Sequence, residues 1–245
     1  MTDISNDTPG PGTFAAPGLP GPAEAAAAVL EVARAAAAGE AEVIEAVAER
    51  IAETLAAGGR IFALGAGHAQ VFAMELFSRA GGLRGFVQMS LEDLRPDKRS
   101  ASVQLHDSLP ERDPANGALI LERYSVTPAD VMLIASNSGR NGAIVELALE
   151  CGRRGIYTAA FTSRAHSTAV ESRHPSGRRL LEITDAVVDN HCPLGDATVE
   201  IDGIGRFCAA STVSFALLAQ MLNAAVIGGL TRRGQPVQAI VSANV

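Results

Sequence analysis

Little in this chain points to a disulfide scaffold, a nucleic-acid binder or a membrane protein. Its 245 residues include three cysteines, Cys151, Cys192 and Cys208, which form no C-x-x-C pair and leave an odd thiol. That usage fits a reducing cytosol better than a cross-linked secreted domain. Positive charge is also short: 20 Lys and Arg stand against 27 Asp and Glu, giving a formal charge of -7, and the basic residues are scattered. Affinity for a phosphate backbone comes from clustered cations, so nucleic acid is not an expected partner. No stretch reaches the ~18 to 20 uninterrupted apolar residues of a membrane span, and the first residues lack the basic-then-apolar order of a secretory signal. The expected location is the cytoplasm, away from membranes.

What is present is material for a core. With 47% hydrophobic and 19% charged residues and 24 glycines, the composition suits one largish α/β domain or two small ones. Residues 1–22 hold five prolines and four glycines with few large apolar groups, which predicts a disordered tail. Across 23–57, Val29 and Val32, then Val43, Val47, Ile51 and Leu55, recur at helical spacing with a break near Gly39. That pattern predicts two amphipathic helices or one interrupted helix. From residue 58 onward short apolar runs alternate with helical stretches: RIFALGAGHA, DVMLIASNSG, GIYTAAFTS, DAVVDN and VQAIVSAN. Runs without polar alternation are strands buried on both faces, so 58–245 is expected to form a three-layer α/β/α sandwich around a mainly parallel, five-stranded sheet. The stretch from about Gly85 to Arg123 is less regular, with one strand possible around Phe86 to Met89 and an excursion over the site.

Two bends carry the chemistry. In GAGHAQ, Gly65 and Gly67 precede a helix, where backbone N–H groups can approach an anion, although a tight turn needs glycine for its own sake. The third glycine and distal acid of a dinucleotide fingerprint are missing. In SNSGRN, Ser136, Asn137, Ser138, Gly139 and Asn141 provide more hydroxyl, amide and glycine than a strand-to-helix turn requires. The surplus predicts a nest for a phosphate, with helix capping as the plainer use of Ser138 or Asn141. The Lys-Ser/Thr ending of a P-loop is missing, and with it the metal's hydroxyl ligand. DNHCPLGD groups Asp189, His191, Cys192 and Asp196, but at none of the common zinc spacings, so no metal is expected. Asn190 and Asp196 are instead candidates for bonding sugar hydroxyls. Ser211 and Thr212 open a helix and could complete a phosphate site.

Together the two bends resemble those of the sugar isomerase (SIS) domain family, in a bacterial phosphosugar-binding branch related to the phosphoheptose isomerases. The resemblance runs from about Arg60 to Val245, through GIYTAAFTS, SRHPSGRRLLEITDAVVDN and STVSFALLAQMLNAA. It implies a flavodoxin-like or Rossmann-like SIS fold and a sugar phosphate held by the SNSGRN bend. Thr162 and Ser163, Arg173 and Ser176 are added to the binding set by the same resemblance. It also implies aldose–ketose isomerisation by α-proton abstraction, without a cofactor, in a homodimer or homotetramer. The family's E-L-x-x-R glutamate, proposed there as the base, falls on Glu75 of MELFSR. An i,i+4 ion pair with Arg79 is the competing use of that carboxylate. The family's last-helix histidine has no counterpart, leaving His68 and His174 as acid candidates, with His106, His166 and His191 less securely placed. Ala69 stands where many relatives have Ser, and Asn141 where Thr or Ser is usual. Two other functions stay open: a non-catalytic phosphosugar sensor, and a lyase or deaminase acting on an amino-sugar phosphate.

Overall fold

The computed structural model describes residues 20–94, 110–242 and 244. Most of the expected N-terminal tail and His106 lie outside these residues. Two helices come first, α1 (Pro22–Gly39) and α2 (Ala41–Ala56), which resolves the choice left by the sequence. Proline at the first position of α1 suits a helix start, where its missing N–H has no partner to lose. The break falls at Glu40, whose carboxylate accepts from the Asp189 N–H at 3.0 Å and meets His191 Nε2 at 3.1 Å.

The central sheet contains β1 (Ile61–Gly65), β2 (Phe86–Met89), β3 (Val131–Ala135), β4 (Tyr157–Thr162) and β5 (Ala186–Asp189). Their order is β2-β1-β3-β4-β5, and every pairing is parallel. Alternate residues of β1 serve opposite layers. Ile61 and Ala63 join Ile51, Phe72, Phe161 and Phe215 on one side; Phe62 and Leu64 join Met132, Ile134, Ile144 and Leu147 on the other. Since side chains alternate across a strand, a run apolar at every position is what a doubly covered sheet requires. The first layer is made by α2, α3 (Gln70–Leu76) and α7 (Ser211–Arg232), the second by α4 (Ala115–Tyr124) and α5 (Gly142–Arg154). Between β4 and β5 lies the short helix α6 (Arg164–Thr168).

By length and composition α7 could cross a membrane, but it runs through the core and packs on α2 and α3. Val226, Gly229 and Leu230 of its AVIGGL end are buried within the chain. Its Asn223 accepts a hydrogen bond from the Leu83 N–H at 3.0 Å, which gives a polar group of this helix a partner inside the core.

Two expectations need correction. VQAIVSAN does not supply a strand of the sheet: Ala239 forms a single antiparallel bridge with Leu83, and Val241 is 75% exposed. Only β2, the optional strand, completes the five. An apolar run gains nothing from strand geometry when no layer covers it, and this segment follows the last core helix. A hairpin of β6 (Ala197–Ile201) and β7 (Gly205–Ala209) was not anticipated, because its residues are mostly half-buried or exposed and lack the apolar run of the central strands.

Candidate functional site

In a sheet ordered 2-1-3-4-5 the chain leaves β1 and β3 in opposite directions, and the crevice beyond their carboxyl ends is where ligands of such folds bind. Gly65 pairs with Ala135 and Ala135 with Phe161, so the turns that follow β1, β3 and β4 emerge side by side.

The turn after β1 needs its glycines for backbone reasons. A Cβ on Gly65 would stand 2.2 Å from the Ala69 carbonyl oxygen, and Gly67 has φ +56°. A 3₁₀ turn, Gly67–Ala69, follows and leads into α3. His68 on this turn is exposed and bonds to no described residue.

The bend after β3 divides into committed and uncommitted groups. Ser136 is buried, and its Oγ accepts from the Gly139 N–H at 3.3 Å. Asn137 bridges outward: its Oδ1 accepts from Asn190 Nδ2 at 2.8 Å, and its carbonyl accepts from the Ser163 N–H at 3.1 Å and Thr162 Oγ1 at 3.2 Å. Gly139, at φ +58°, fits beneath Leu180, Thr162 and Ser167, so it serves packing. Asn141 occupies the cap position of α5, yet its side chain makes no capping bond. It accepts from Arg173 at 3.0 Å and donates to Glu111 Oε1 at 2.8 Å instead. Ser138 is half-buried and has no hydrogen-bond partner among the described residues, leaving its hydroxyl available beside the start of α5.

Several expected binding residues hold the loops together. Thr162, Ser163 and Asn190 are fully buried, and Ser163 Oγ donates to the Cys192 carbonyl at 2.6 Å. Asp196 accepts from the Ser211 N–H at 2.8 Å and from Ser211 Oγ at 2.6 Å, so its charge caps α7 and occupies the hydroxyl expected for phosphate. Thr212 beside it is exposed. Within DNHCPLGD, Asp189 accepts from the Arg164 and His191 N–H groups, and burial pushes the Cys192 thiol up, which disfavours the thiolate a metal would want. No group of three His, Cys, Asp or Glu able to hold a metal occurs among the described residues.

His174 faces α5: its Nε2 meets Glu146 Oε2 at 2.7 Å, while its Nδ1 accepts from the Ser176 N–H at 3.1 Å and lies 2.8 Å from Ser176 Oγ. An acceptor Nδ1 requires the tautomer protonated at Nε2, which then donates to Glu146. Of the two uses of Glu75, the ion pair is formed: Arg79 Nε lies 3.0 Å from Oε2, and Gln220 donates to the same oxygen at 2.7 Å. These groups line an open depression of about 410 Å³ between α3 and α7, to which neither bend contributes.

One carboxylate that sequence reasoning missed stands between the bends. Glu111 lies on the 3₁₀ turn Pro110–Arg112, within the irregular stretch expected to pass over the site. Oε1 takes the Asn141 amide, and Oε2 lies 3.8 Å from where a Gly67 Cβ would be. Burial raises its pKa above the usual carboxylate value, against the pull of Arg112 and Arg173. Burial also lowers Arg173, helped by the positive charge of Arg140 and Arg112. Arg140 Nε is itself buried without a partner among the described residues. Nothing in the spacing of PERDPANG marks Glu111 for this place; only the course of the excursion brings it there.

A parallel sheet with a glycine turn after β1 and a serine-rich bend after β3, meeting at its switch point, defines a class of small-ligand α/β domains. Residues 25–163 match the SIS domain model, and the chain belongs to the SIS domain family. It is 37% identical to a UPF0309 protein of Halalkalibacterium halodurans over 193 residues, covering 77% of this chain and 76% of that one. A UPF0309 protein of Streptomyces avermitilis is 34% identical over 198 residues, covering 78% and 76%. The fold is similar to that of a phosphoheptose isomerase from Neisseria gonorrhoeae, with TM-score 0.55 and 16% identity over 84% of this chain and 96% of that one.

Proposed function

We propose that the protein binds a phosphorylated monosaccharide in the crevice between the turns after β1 and β3, and interconverts its aldose and ketose forms by moving the proton α to the carbonyl. The observation that carries the reading is the uncommitted Ser138 hydroxyl beside an α5 start that no side chain caps. Helix N-termini bind anions through unpaired N–H groups and the helix dipole, and a free hydroxyl there adds a directional donor. Arg173 brings positive charge to Asn141 of the bend, and Arg112 and Arg140 are near enough for their charges to act on Arg173. Membership of the SIS domain family supports the phosphosugar as ligand.

The test is a panel of aldose and ketose phosphates in deuterated water. A substrate acquires label at its α carbon and raises the thermal midpoint of the protein. Absence of label from every compound that binds would reject the isomerase. For Ser138→Ala, affinity for the phosphate-bearing ligand is expected to fall about tenfold, the loss of one hydrogen bond to a charged group. Equal weakening of the phosphate-free sugar in titration calorimetry would show that the bend is not an anion seat.

A sensor is the second reading, favoured by the engagement of Glu75 with Arg79 and Gln220 and of His174 with Glu146. It predicts binding without exchange. Assembly into a homodimer or homotetramer is part of the proposal. Met74, Phe77 and Val213, exposed at 57%, 45% and 41%, are better interface candidates than the AVIGGL end, whose apolar side chains are used within the chain. Sedimentation at micromolar concentration decides this.

A further inference from the structure

We infer that Glu111, and not Glu75, is the carboxylate that takes the α proton in this crevice. The inference rests on the isomerase reading above and deepens it by naming the catalytic residue.

Three observations support Glu111. First, it spans the two bends: Oε1 is tied to Asn141 of the β3 bend at 2.8 Å, while Oε2 lies 3.8 Å from the Cβ position that Gly67 of the β1 turn leaves empty. One oxygen is thus held in position, and the other faces the place where a ligand anchored at Ser138 would extend. Second, its surroundings favour a working base. Burial lifts its pKa toward the operating pH, and Arg112 and Arg173 keep it from rising further. The 3₁₀ turn Leu91–Leu94, with Glu92 and Asp93, packs against the Glu111 turn, and α5 packs on its other side with Glu146 held by His174 and Arg153. Third, the alternative is engaged elsewhere, since both Arg79 and Gln220 hold Glu75 Oε2 in a depression that neither bend lines.

The step balances without a co-reactant. Glu111 Oε2 removes the proton from C2 of the open-chain aldose phosphate. The C2–H electron pair becomes the C1–C2 double bond, and the carbonyl π pair moves onto O1. O1 gains a proton as the O2 hydroxyl gives one up, and the glutamic acid returns its proton to C1, leaving the ketose. The positive charge of Arg112 and Arg173 lies where it can stabilise the enediolate.

The experiment compares wild type, Glu111→Gln, Glu111→Asp and Glu75→Gln in solvent-exchange assays with the sugar phosphate that wild type labels. In parallel, calorimetry measures the affinity of each for that ligand and for inorganic phosphate. Glu111→Gln keeps an oxygen for the Asn141 amide, so ligand affinity should stay within about threefold while exchange falls at least ~100-fold, the usual contribution of a positioned base. Glu111→Asp should retain a measurable fraction of the rate. Wild-type exchange should rise with pH through a value above the ordinary carboxylate of ~4.3, a limb missing from any residual Glu111→Gln activity. A carboxyl with a raised folded pKa contributes stability that is lost as pH climbs through that value, so Glu111→Gln should melt no lower than wild type at neutral pH. Undiminished exchange in Glu111→Gln, or a loss confined to Glu75→Gln, overturns the assignment to Glu111 alone. If wild type binds sugar phosphates but labels none of them, the isomerase reading fails and takes the assignment with it.

Discussion

Replacing Asp130 by alanine is expected to lower the stability of the fold by about 3 kcal/mol, more than replacing its partner Arg60. Asp130 is 2% exposed at the entrance of β3, and its carboxylate gathers five donors. Arg60 contributes its backbone N–H at 2.9 Å and its side chain at 3.2 and 2.8 Å, while Thr127 contributes N–H and hydroxyl, both at 2.9 Å. The residue thereby ties the residue before β1 to the turn before β3. Alanine would leave the two N–H groups without partners. Arg60→Ala keeps three of the five donors and removes a side chain that is already 45% exposed, so its effect should be the smaller. Urea titration of both variants reads the difference, and a reversed order would refute the analysis.

The same carboxylate predicts an acid limb. Burial raises its pKa, but the bonds from Arg60 and Thr127 prevail and hold it below the ordinary value. A depressed folded pKa means stability that is present above ~3.9, the unfolded value, and lost as pH falls through the folded one. The urea midpoint of wild type should therefore fall more between pH 5 and pH 3 than that of Asp130→Asn, which no longer titrates at this position.

Replacing Gly65 by alanine should damage fold and site together. A Cβ there would lie 2.2 Å from the Ala69 carbonyl oxygen and 2.5 Å from the Gln70 nitrogen, both backbone atoms with no freedom to swing aside. The turn must open, which strains the junction of β1 with α3 at a cost of about 3 kcal/mol. It would also move Gly67 away from Glu111. We expect a reduced thermal midpoint and loss of the ligand-induced stabilisation. Gly152→Ala, on α5 with open space around the new methyl group, is the control and should melt no lower than wild type. A Gly65→Ala variant with native stability and ligand response would show that the turn is not constrained.

The parts of the molecule legible in the sequence are those whose residues interact with near neighbours in the chain or face uniform apolar surroundings. IFAL and VMLIA declared themselves as buried strands because a position apolar on both faces can only be covered on both sides. SNSGRN marked the end of a strand and the start of a helix through its own backbone demands. VQAIVSAN misled for a physical reason: its composition suits a buried strand, but after α7 it runs along the surface, where Val237 packs against the core and Ala239 and Val241 are exposed. The β6–β7 hairpin was hidden by the opposite condition, since strands on the surface need no apolar run.

At the site the division follows distance along the chain. The sequence by itself determined that two bends, one rich in glycine and one in hydroxyls, each end a strand, because glycine tolerance and hydroxyl content are local properties; that the two strands are neighbours came from the sheet order. Which groups remain available there was decided only by tertiary structure. Asp196 satisfies Ser211 across 15 positions, Asn190 satisfies Asn137 across 53, and Glu111 reaches Asn141 across 30. Each donor and acceptor bonds to whatever the folded chain places within about 3 Å, and that proximity is a property of the packed layers.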